Sequence, residues 1–315
     1  MNNRVIVIGS YNTDLTIKTR KLPAPGETII GGVFSEGGGG KGANQAVAAA
    51  RAGADVTFVA RVGDDALGKE GVRRMSEENI NTKFIFHDKD TPTGVAFITV
   101  DEAGENSIVV ASGANSRLSP EDIRIVEGEL AKADVLLVQL ESPLETVKFA
   151  VKRARELGVK VILNPAPAAA LGGDILGNVD VITPNAVEAE MMTGIKITGI
   201  ESMKLTAMKY FSFGIESVII TLGSKGIFIG LQNHMEFVPA YKMEAIDSTG
   251  AGDVFSGALA AYVACGMSVE SAARVACAAA SISVTKMGAQ RSAPTKKETG
   301  DFIAALSPVE SEIIN

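Results

Sequence analysis

Tryptophan is absent from this sequence of 315 residues, and cysteine and histidine occur only twice each. Cys265 and Cys277 do not form a CxxC pair, and His87 and His234 lie far apart, so neither a disulfide framework nor a structural zinc site is predicted. So few cysteines suit a reducing compartment, and we expect a cytoplasmic protein.

Positive charge is in deficit, because 30 Lys and Arg residues face 37 Asp and Glu residues, for a net charge of −7. No sequence-wide positive field attracts phosphate backbones or anionic lipid, so neither nucleic acid nor a membrane is a predicted partner. The longest uncharged stretch, residues 254–269, is shorter than the roughly 20 apolar residues that span a bilayer. The apolar run at residues 5–8 is too short for a secretory signal, so we also expect no export.

What is present is typical of a globular α/β protein, with 46% hydrophobic and 21% charged residues. Short β-branched runs at residues 135–138, 161–163, 179–182 and 218–220 alternate with helical patterns, which predicts a parallel sheet buried on both faces. Apolar side chains at helical spacing between residues 144 and 157 complete a βαβ unit. Helices predicted over residues 251–265, 268–286 and up to about Leu306 cover the sheet.

The alternation stops in two segments, at about residues 14–36 and 93–111, where apolar residues recur with period two. Residues 93–100 and 107–110, on either side of a turn, predict a β-hairpin. We interpret both segments as strands of a small sheet that protrudes from the α/β core, within one domain over residues 1–315.

A run of glycines, GGGGKG at residues 37–42, leads into a helical pattern. It satisfies GxGxxG, and Asp64 and Asp65 follow about 20 residues later, so an NAD-dependent oxidoreductase is one hypothesis. The run follows the protruding segment rather than a buried core strand, which weakens this hypothesis. A Walker A loop is excluded because Lys41 precedes Gly42 instead of Ser or Thr. A flexible loop before a helix is the alternative without a function.

A second glycine motif, DSTGAGD at residues 247–253, runs directly into an apolar helix. Its small residues let a ligand approach the backbone, and the free N–H groups of a helix start attract an anion. This suits a transferring phosphoryl group, with Asp253 placed to take the proton of an attacking hydroxyl. Alternatively, Asp253 is only a favourable acid in the first helical turn, which leaves the glycines unexplained.

Two further polar segments follow predicted strands. Asn185 and Glu188 can arrange water around Mg²⁺ and phosphates, although the same spacing is that of a helix capping box. Residues 221–226 follow the strand at 218–220, where nucleotides commonly lie in parallel sheets, although an ordinary turn between strands explains them equally well.

Taken in order along nearly the whole chain, the motifs resemble those of the ribokinase family of carbohydrate kinases. The segments that carry the resemblance are NTD at 12–14, PGET at 25–28, GGKGANQA at 39–46, QLESP at 139–143, NPAP at 164–167, TPN at 183–185, DSTGAGD at 247–253 and GAQ at 288–290. The resemblance implies a three-layer α/β/α sandwich with a mainly parallel sheet and a small protruding β lid. It also implies transfer of the γ-phosphoryl group of ATP to O5 of D-ribose.

The resemblance assigns roles position by position. Asp253 becomes the catalytic base, and the amides of Gly250, Ala251 and Gly252 form an anion hole. The residues implied to hold the sugar with Asp253 are Asn12, Asp14, Gly40, Lys41, Asn44 and Glu141. The residues implied to line the nucleotide are Asn185, Thr221, Gly223, Ser224, Lys225, Gly226 and Gly252, with Glu188 helping to place Mg²⁺.

The resemblance further implies a potassium site beside the anion hole, built mainly from backbone carbonyls. Its residues are Asp247, Thr249, Ser283, Lys286, Gly288 and Ser292. Cys277 stands where similar kinases have a histidine near the adenine, a departure that bears on adenine affinity rather than on the chemistry. In the family the lids cover the sugar and pair two copies into a homodimer, and closure of such a lid excludes water.

Alternatives remain open at this point. A kinase for 2-deoxyribose or for another small sugar or nucleoside differs only in its hydroxyl contacts, which can change without disturbing the anion hole. A non-catalytic sugar-binding regulator would keep the sugar residues but tolerate loss of Asp253, whose presence favours catalysis.

Overall fold

A computed structural model of the chain describes residues 3–305 and 312–314. In these residues the strands are β1 (Arg4–Ile8), β2 (Asn12–Lys18), β3 (Val33–Gly39), β4 (Asp55–Gly63), β5 (Asn81–Asp88), β6 (Gly94–Val100), β7 (Asn106–Ala111), β8 (Val135–Val138), β9 (Lys160–Leu163), β10 (Val181–Ile182), β11 (Ser217–Thr221), β12 (Gly226–Leu231), β13 (His234–Pro239) and β14 (Glu312–Ile314). The α-helices are α1 (Lys41–Arg51), α2 (Ala66–Glu77), α3 (Pro120–Leu130), α4 (Leu144–Glu156), α5 (Gly173–Leu176), α6 (Ala186–Thr193), α7 (Ile200–Phe211), α8 (Ala251–Ala264), α9 (Val269–Ser283), α10 (Ala289–Ser292) and α11 (Lys296–Ala305).

The main sheet has ten strands in the order β14-β13-β12-β11-β10-β9-β8-β1-β4-β5. The seven strands from β11 to β5 pair in parallel, and the three strands at the other edge are antiparallel. The predicted parallel sheet is confirmed, with one shorter strand. Val179 closes a turn onto Leu176 instead of extending β10.

Helices cover both faces of this sheet, so the predicted three layers are confirmed. Along β1, Val5 and Val7 point into an apolar core shared with α1, α8 and α9, while Ile6 and Ile8 point into the core shared with α3 and α4. This alternation follows from the two-residue repeat of a strand, and it explains why the strands are apolar throughout.

A separate sheet of four strands has the order β3-β2-β6-β7, with β6 and β7 forming the predicted hairpin. β2 and β6 pair in parallel and join the two predicted segments. One boundary was predicted wrongly: residues 37–39 of the glycine run belong to β3, where they pair with Asn12, Thr13 and Asp14. The run is therefore part of the small sheet, and it does not follow a buried core strand as a dinucleotide-binding loop requires.

Two helix ends also differ from the prediction. The helix α9 ends at Ser283 because the carbonyl of Val284 accepts hydrogen bonds from the amides of Ile246 and Asp247. The last helix ends at Ala305, and Leu306 lies outside the described residues. Among the helices that the structure describes, none is long and apolar enough to cross a membrane.

Candidate active site

Asp253 lies in the first turn of α8, and only 7% of its surface is exposed. Its Oδ2 accepts a hydrogen bond from Asn44 Nδ2 and its Oδ1 accepts one from Gln45 Nε2, both at 2.9 Å. Gly257 allows α1 and α8 to come this close, since a Cβ there would lie 2.4 Å from the carbonyl oxygen of Gln45. Asp253 is therefore held between two helices and is more than a first-turn acid.

The turn before α8 leaves an open space at the helix start. Gly250 has φ of 76°, the left-handed region that favours glycine, and a Cβ there would meet Ala289 at 2.8 Å. Gly252 is exposed, and a Cβ on it would meet no atom within 4 Å. Ala251 N donates to the carbonyl of Ser248 at 3.2 Å, so this amide already has a partner. The helix start thus offers an anion a free approach beside Gly252.

The amine of Lys41 lies near three carboxylates. Burial alone would lower the pKa of Lys41. The negative charges of Asp253, Glu141 and Glu188 outweigh that effect and hold this pKa above its usual value. Burial raises the pKa of Asp253, and the charge of Lys41 opposes that rise. Burial also raises the pKa of Asp14 to about 6, with further contributions from Glu141 and Asp253. Acidic groups and one cation therefore share a single partly buried centre.

The other predicted sugar residues gather at the junction of the two sheets. Glu141 Oε2 accepts a hydrogen bond from the backbone amide of Lys41 at 2.9 Å and another from Ser10. Asn12 Oδ1 accepts one from Asn115 Nδ2 at 2.8 Å. Gly40, with φ of 87°, lies so close to Asn12 that a Cβ would be 2.8 Å from its amide nitrogen.

Only some of the residues predicted to bind the nucleotide line a cleft of about 370 Å³. Asn185, Thr221, Gly223 and Lys225 line it, with Val187 and Phe237 among their neighbours. Ser224 and Gly226 are not among its lining residues, and Gly226 makes the tight turn into β12, since a Cβ there would meet the carbonyl of Val238 at 2.1 Å. The interpretation of residues 223–226 as a turn between strands therefore also holds.

Asn185 and Glu188 form both hydrogen bonds of a capping box at 2.8 Å, as the structural alternative predicted. The Glu188 carboxyl nevertheless lies near Lys41, and burial raises its pKa. Both side chains keep oxygen lone pairs, and Mg²⁺ is commonly held by one or two carboxylates and several waters, so the donor set fits that ion. Cys277 does not line the cleft: it is buried in the core on α9, and burial raises the pKa of its thiol to about 11.

The predicted potassium residues come from three segments that meet beside the start of α8. Asp247 joins two of them, accepting from Thr249 N at 2.9 Å and from Gly288 N at 2.8 Å. Ser283 ends α9 and Ser292 ends α10. The side chain of Lys286 points to Glu298 at 2.7 Å, so only its carbonyl is available to a cation. Loops that present backbone carbonyls supply the oxygen donors that hard cations prefer.

Gln45 is a site residue that the sequence analysis missed. It contacts Asp253 directly, and none of its surface is exposed. A signal was available, because Lys41, Asn44 and Gln45 have the i, i+3, i+4 spacing of one helix face in an otherwise apolar helix. Asn164, which accepts from Gln45, stands in the NPAP segment but was given no role there, and buried Asn115, which donates to Asn12, had no comparable local signal.

Comparisons with known proteins agree with this geometry. The profile of the pfkB family carbohydrate kinases matches residues 2–296, so the chain belongs to that family and is an ATP-using carbohydrate kinase. The ribokinase of Haemophilus influenzae is 44% identical over 96% of this chain and 99% of its own length. The deoxyribokinase of Salmonella typhi is 36% identical over 95% of this chain and 98% of its own. The Arabidopsis thaliana ribokinase structure, described as complexed with ribose and ATP, has a TM-score of 0.89 at 30% identity and covers 98% of this chain and 100% of its own.

The predicted family, fold class and enzyme class are therefore confirmed. The hypothesis of an NAD-dependent oxidoreductase is wrong, because residues 37–39 of the glycine run on which it depended belong to a strand of the small sheet in a kinase fold.

Proposed function

We propose that this protein transfers the γ-phosphoryl group of ATP to O5 of D-ribose and forms D-ribose 5-phosphate. The observation that carries the proposal is the buried Asp253 carboxylate, held by two amide donors at the start of α8 and beside the open space at Gly252. Ribokinases that are about 40% identical over nearly the whole chain support ribose as the acceptor.

In this proposal Asp253 accepts the proton of the attacking sugar hydroxyl. The start of α8, with the amides of Gly250 and Gly252, stabilises the charge that develops on the transferring group, and the Ala251 amide joins them only by exchanging its bond to Ser248. Lys41 balances the negative charge of the surrounding carboxylates as the phosphates enter. When bound, Mg²⁺ would neutralise charge at the phosphates, and Asn185 and Glu188 are the residues that would hold it.

The sugar is held at the junction of the two sheets. Asn44 Oδ1 is buried without a hydrogen-bond partner, so it is an acceptor available to a sugar hydroxyl. Asp14, Asn12, Gly40 and Glu141 complete a ring of donors and acceptors, as a polyhydroxyl ligand requires.

The first test is ADP release from Mg-ATP and potassium with D-ribose, 2-deoxyribose, fructose, adenosine or no sugar. We expect strong release with D-ribose and slow release without sugar. A preference for 2-deoxyribose would support the second candidate, which the similarity to Salmonella deoxyribokinases favours. Absence of release with every sugar would contradict a kinase acting on these substrates and favour a sugar-binding regulator.

Potassium is proposed to fix the loops that join Asp247 to Thr249 and Gly288. We expect a higher rate in potassium chloride than in the same concentration of tetramethylammonium chloride, which is too large for a site made of backbone carbonyls. Equal rates in both salts would contradict a potassium site that supports turnover.

A further inference from the structure

The side-chain amide of Gln45 is wholly buried and fully hydrogen-bonded. Its Nε2 donates to Asp253 Oδ1 and to Asn164 Oδ1, each at 2.9 Å. Its Oε1 accepts from Gln139 Nε2 at 2.6 Å. Both N–H groups are in use, so Gln45 has no donor left for a sugar or a phosphate, and any role in turnover must act through Asp253.

The orientation of this amide is fixed from a distance by Thr183. The backbone carbonyl of Thr183 can only accept, and Asn164 Nδ2 donates to it at 3.0 Å. The side-chain oxygen of Asn164 must therefore face Gln45. Because that oxygen can only accept a hydrogen bond, Gln45 must direct its Nε2 group toward it. The second hydrogen of that nitrogen then points at Asp253, while Gln139 donates from the other side.

The two donors to Asp253 differ in how firmly they are held. Asn44 donates to Oδ2, but its own oxygen has no protein partner, so it is free to turn toward a ligand. Gln45 donates to Oδ1 and is locked by Gln139 and Asn164. The fixed plane of the Asp253 carboxylate therefore depends on Gln45.

We propose that Gln45 is a positioning residue for phosphoryl transfer: it aims Asp253 at the acceptor hydroxyl, while Gln139 and Asn164 keep its amide in the required orientation. The inference rests on the proposed function, since it needs Asp253 to act as the base. A misplaced base lowers the rate of proton transfer without removing the sugar contacts.

Four charged groups, on three elements and one loop, also face Asp253, and they stay unchanged in the variants below. These groups are Lys41 on α1, Asp14 on β2, Glu188 on α6 and Glu141, which follows β8. A change in pH dependence that appears only in a Gln45 variant therefore belongs to the altered contact.

The first variant is Gln45→Met, which keeps the side-chain length and removes both donors. We expect kcat to fall by about 10- to 100-fold, because a hydrogen bond to a charged group is lost, while the KM for the sugar changes by less than about threefold. The Gln45 donor also lowers the pKa of Asp253, so the loss in this variant should be larger in acid, the opposite of the trend expected for Gln45→Glu.

The second variant is Gln45→Glu, which has nearly the same shape. While protonated, this carboxyl can donate its single hydrogen to Asp253, which leaves Asn164 Oδ1 without a donor. Its ionisation removes that donor and places like charges beside each other. We expect kcat relative to the unmodified protein to fall by about tenfold or more as pH rises from about 6 to 9. A purely structural role would not produce this trend.

Two further variants guard against loss of folding. Gln139→Met leaves every contact of Asp253 in place and removes only the donor to Gln45, so we expect kcat about three- to tenfold lower. Thr206→Val changes a buried hydroxyl on α7 that has no hydrogen-bond partner, and should leave kcat unchanged. Thermal unfolding and calorimetric sugar binding are measured for all four.

Normal sugar-dependent turnover of the unmodified protein, with unchanged kcat in folded Gln45→Met and Gln139→Met, would overturn the inference alone. The inference would also be overturned, with the proposed function left intact, if the kcat of Gln45→Glu showed no pH trend relative to that of Gln45→Met. No sugar-dependent turnover of the unmodified protein would instead contradict the proposed function, and the inference with it.

Discussion

At the scale of the residue, the site combines groups whose ionisation is altered by their surroundings. Burial raises the pKa of Asp14 to about 6, and the charges of Glu141 and Asp253 act in the same direction. A raised pKa means that the folded protein favours the protonated form of Asp14 more than an unfolded chain does. A sugar that binds the ionised form must therefore compete with protons near pH 6.

Sugar affinity should accordingly fall in acid. Below about pH 6 Asp14 becomes protonated and accepts fewer hydroxyl hydrogen bonds, so we expect the KM for D-ribose to rise as pH falls through that value. The variant Asp14→Asn should have a high KM, by about tenfold or more, without this step. Initial rates over a pH series check both. A wild-type KM that is constant from about pH 5 to 8 would show that Asp14 does not bind the sugar in its ionised form.

At the scale of the element, the catalytic arrangement depends on how closely α1 and α8 pack. Gly257 lies one turn after Asp253, against the carbonyl of Gln45. The main sheet fixes the direction of both helices, and the missing side chain fixes their separation. The glycine that matters here is outside the DSTGAGD motif.

Replacing Gly257 by alanine should damage both stability and turnover. The added Cβ would lie 2.4 Å from the Gln45 carbonyl oxygen, so the helices must separate, and we expect a loss of about 1–3 kcal/mol in the free energy of unfolding. We also expect lower kcat, because Asp253 moves away from Gln45. Denaturant unfolding and steady-state rates measure the two effects.

The matched control is Gly128→Ala on α3, where a Cβ would meet no atom within 4 Å. Alanine is the better helix former, so this variant should gain about 0.5–1 kcal/mol and keep its turnover. Equal effects of both substitutions would contradict the role given to the close approach of α1 and α8.

The sequence predicted the strands well where apolar and polar side chains alternate, and less well where glycines provide no side chains to show a pattern. The hairpin of β6 and β7 followed from period-two apolar residues, but residues 37–39 looked like a loop because glycines carry no side chains, and their pairing with β2 is long-range. Likewise, Asp253 was predicted from its motif, whereas the orientation of Gln45 is fixed by the carbonyl of Thr183, which no local pattern can indicate.

At the scale of the whole molecule, one face of the small sheet is exposed and mainly apolar, and Glu36, opposite Leu15 at its edge, is the charged side chain among the strand residues of that face. The pairing register places Leu15, Phe97 and Val109 directly opposite one another, and therefore on one face, with Ile17 and Phe34 beside them. Phe97 is 56% exposed and Val109 66%. Asp14 alternates with Leu15 and so lies on the opposite face, so a partner could cover the apolar face without blocking the sugar site.

We expect two copies of this chain to pair through that face. Phe97→Lys places a charge on a central strand of the small sheet, so sedimentation equilibrium should show a dimer for the unmodified protein and a monomer for the variant. Ile125→Lys is the control, because Ile125 is 65% exposed on α3, away from the small sheet. A monomeric unmodified protein, or the same effect from both substitutions, would contradict pairing through this face.

The central claim of the account is that Asp253 takes the proton of the sugar hydroxyl. The measurement that tests it most directly is the kcat of Asp253→Asn with D-ribose and Mg-ATP, together with the calorimetric affinity for D-ribose. Asparagine keeps the shape but cannot act as a base, so we expect sugar binding to be retained and kcat to fall by about 10²- to 10⁴-fold. Turnover equal to that of the unmodified protein would show that Asp253 is not the base.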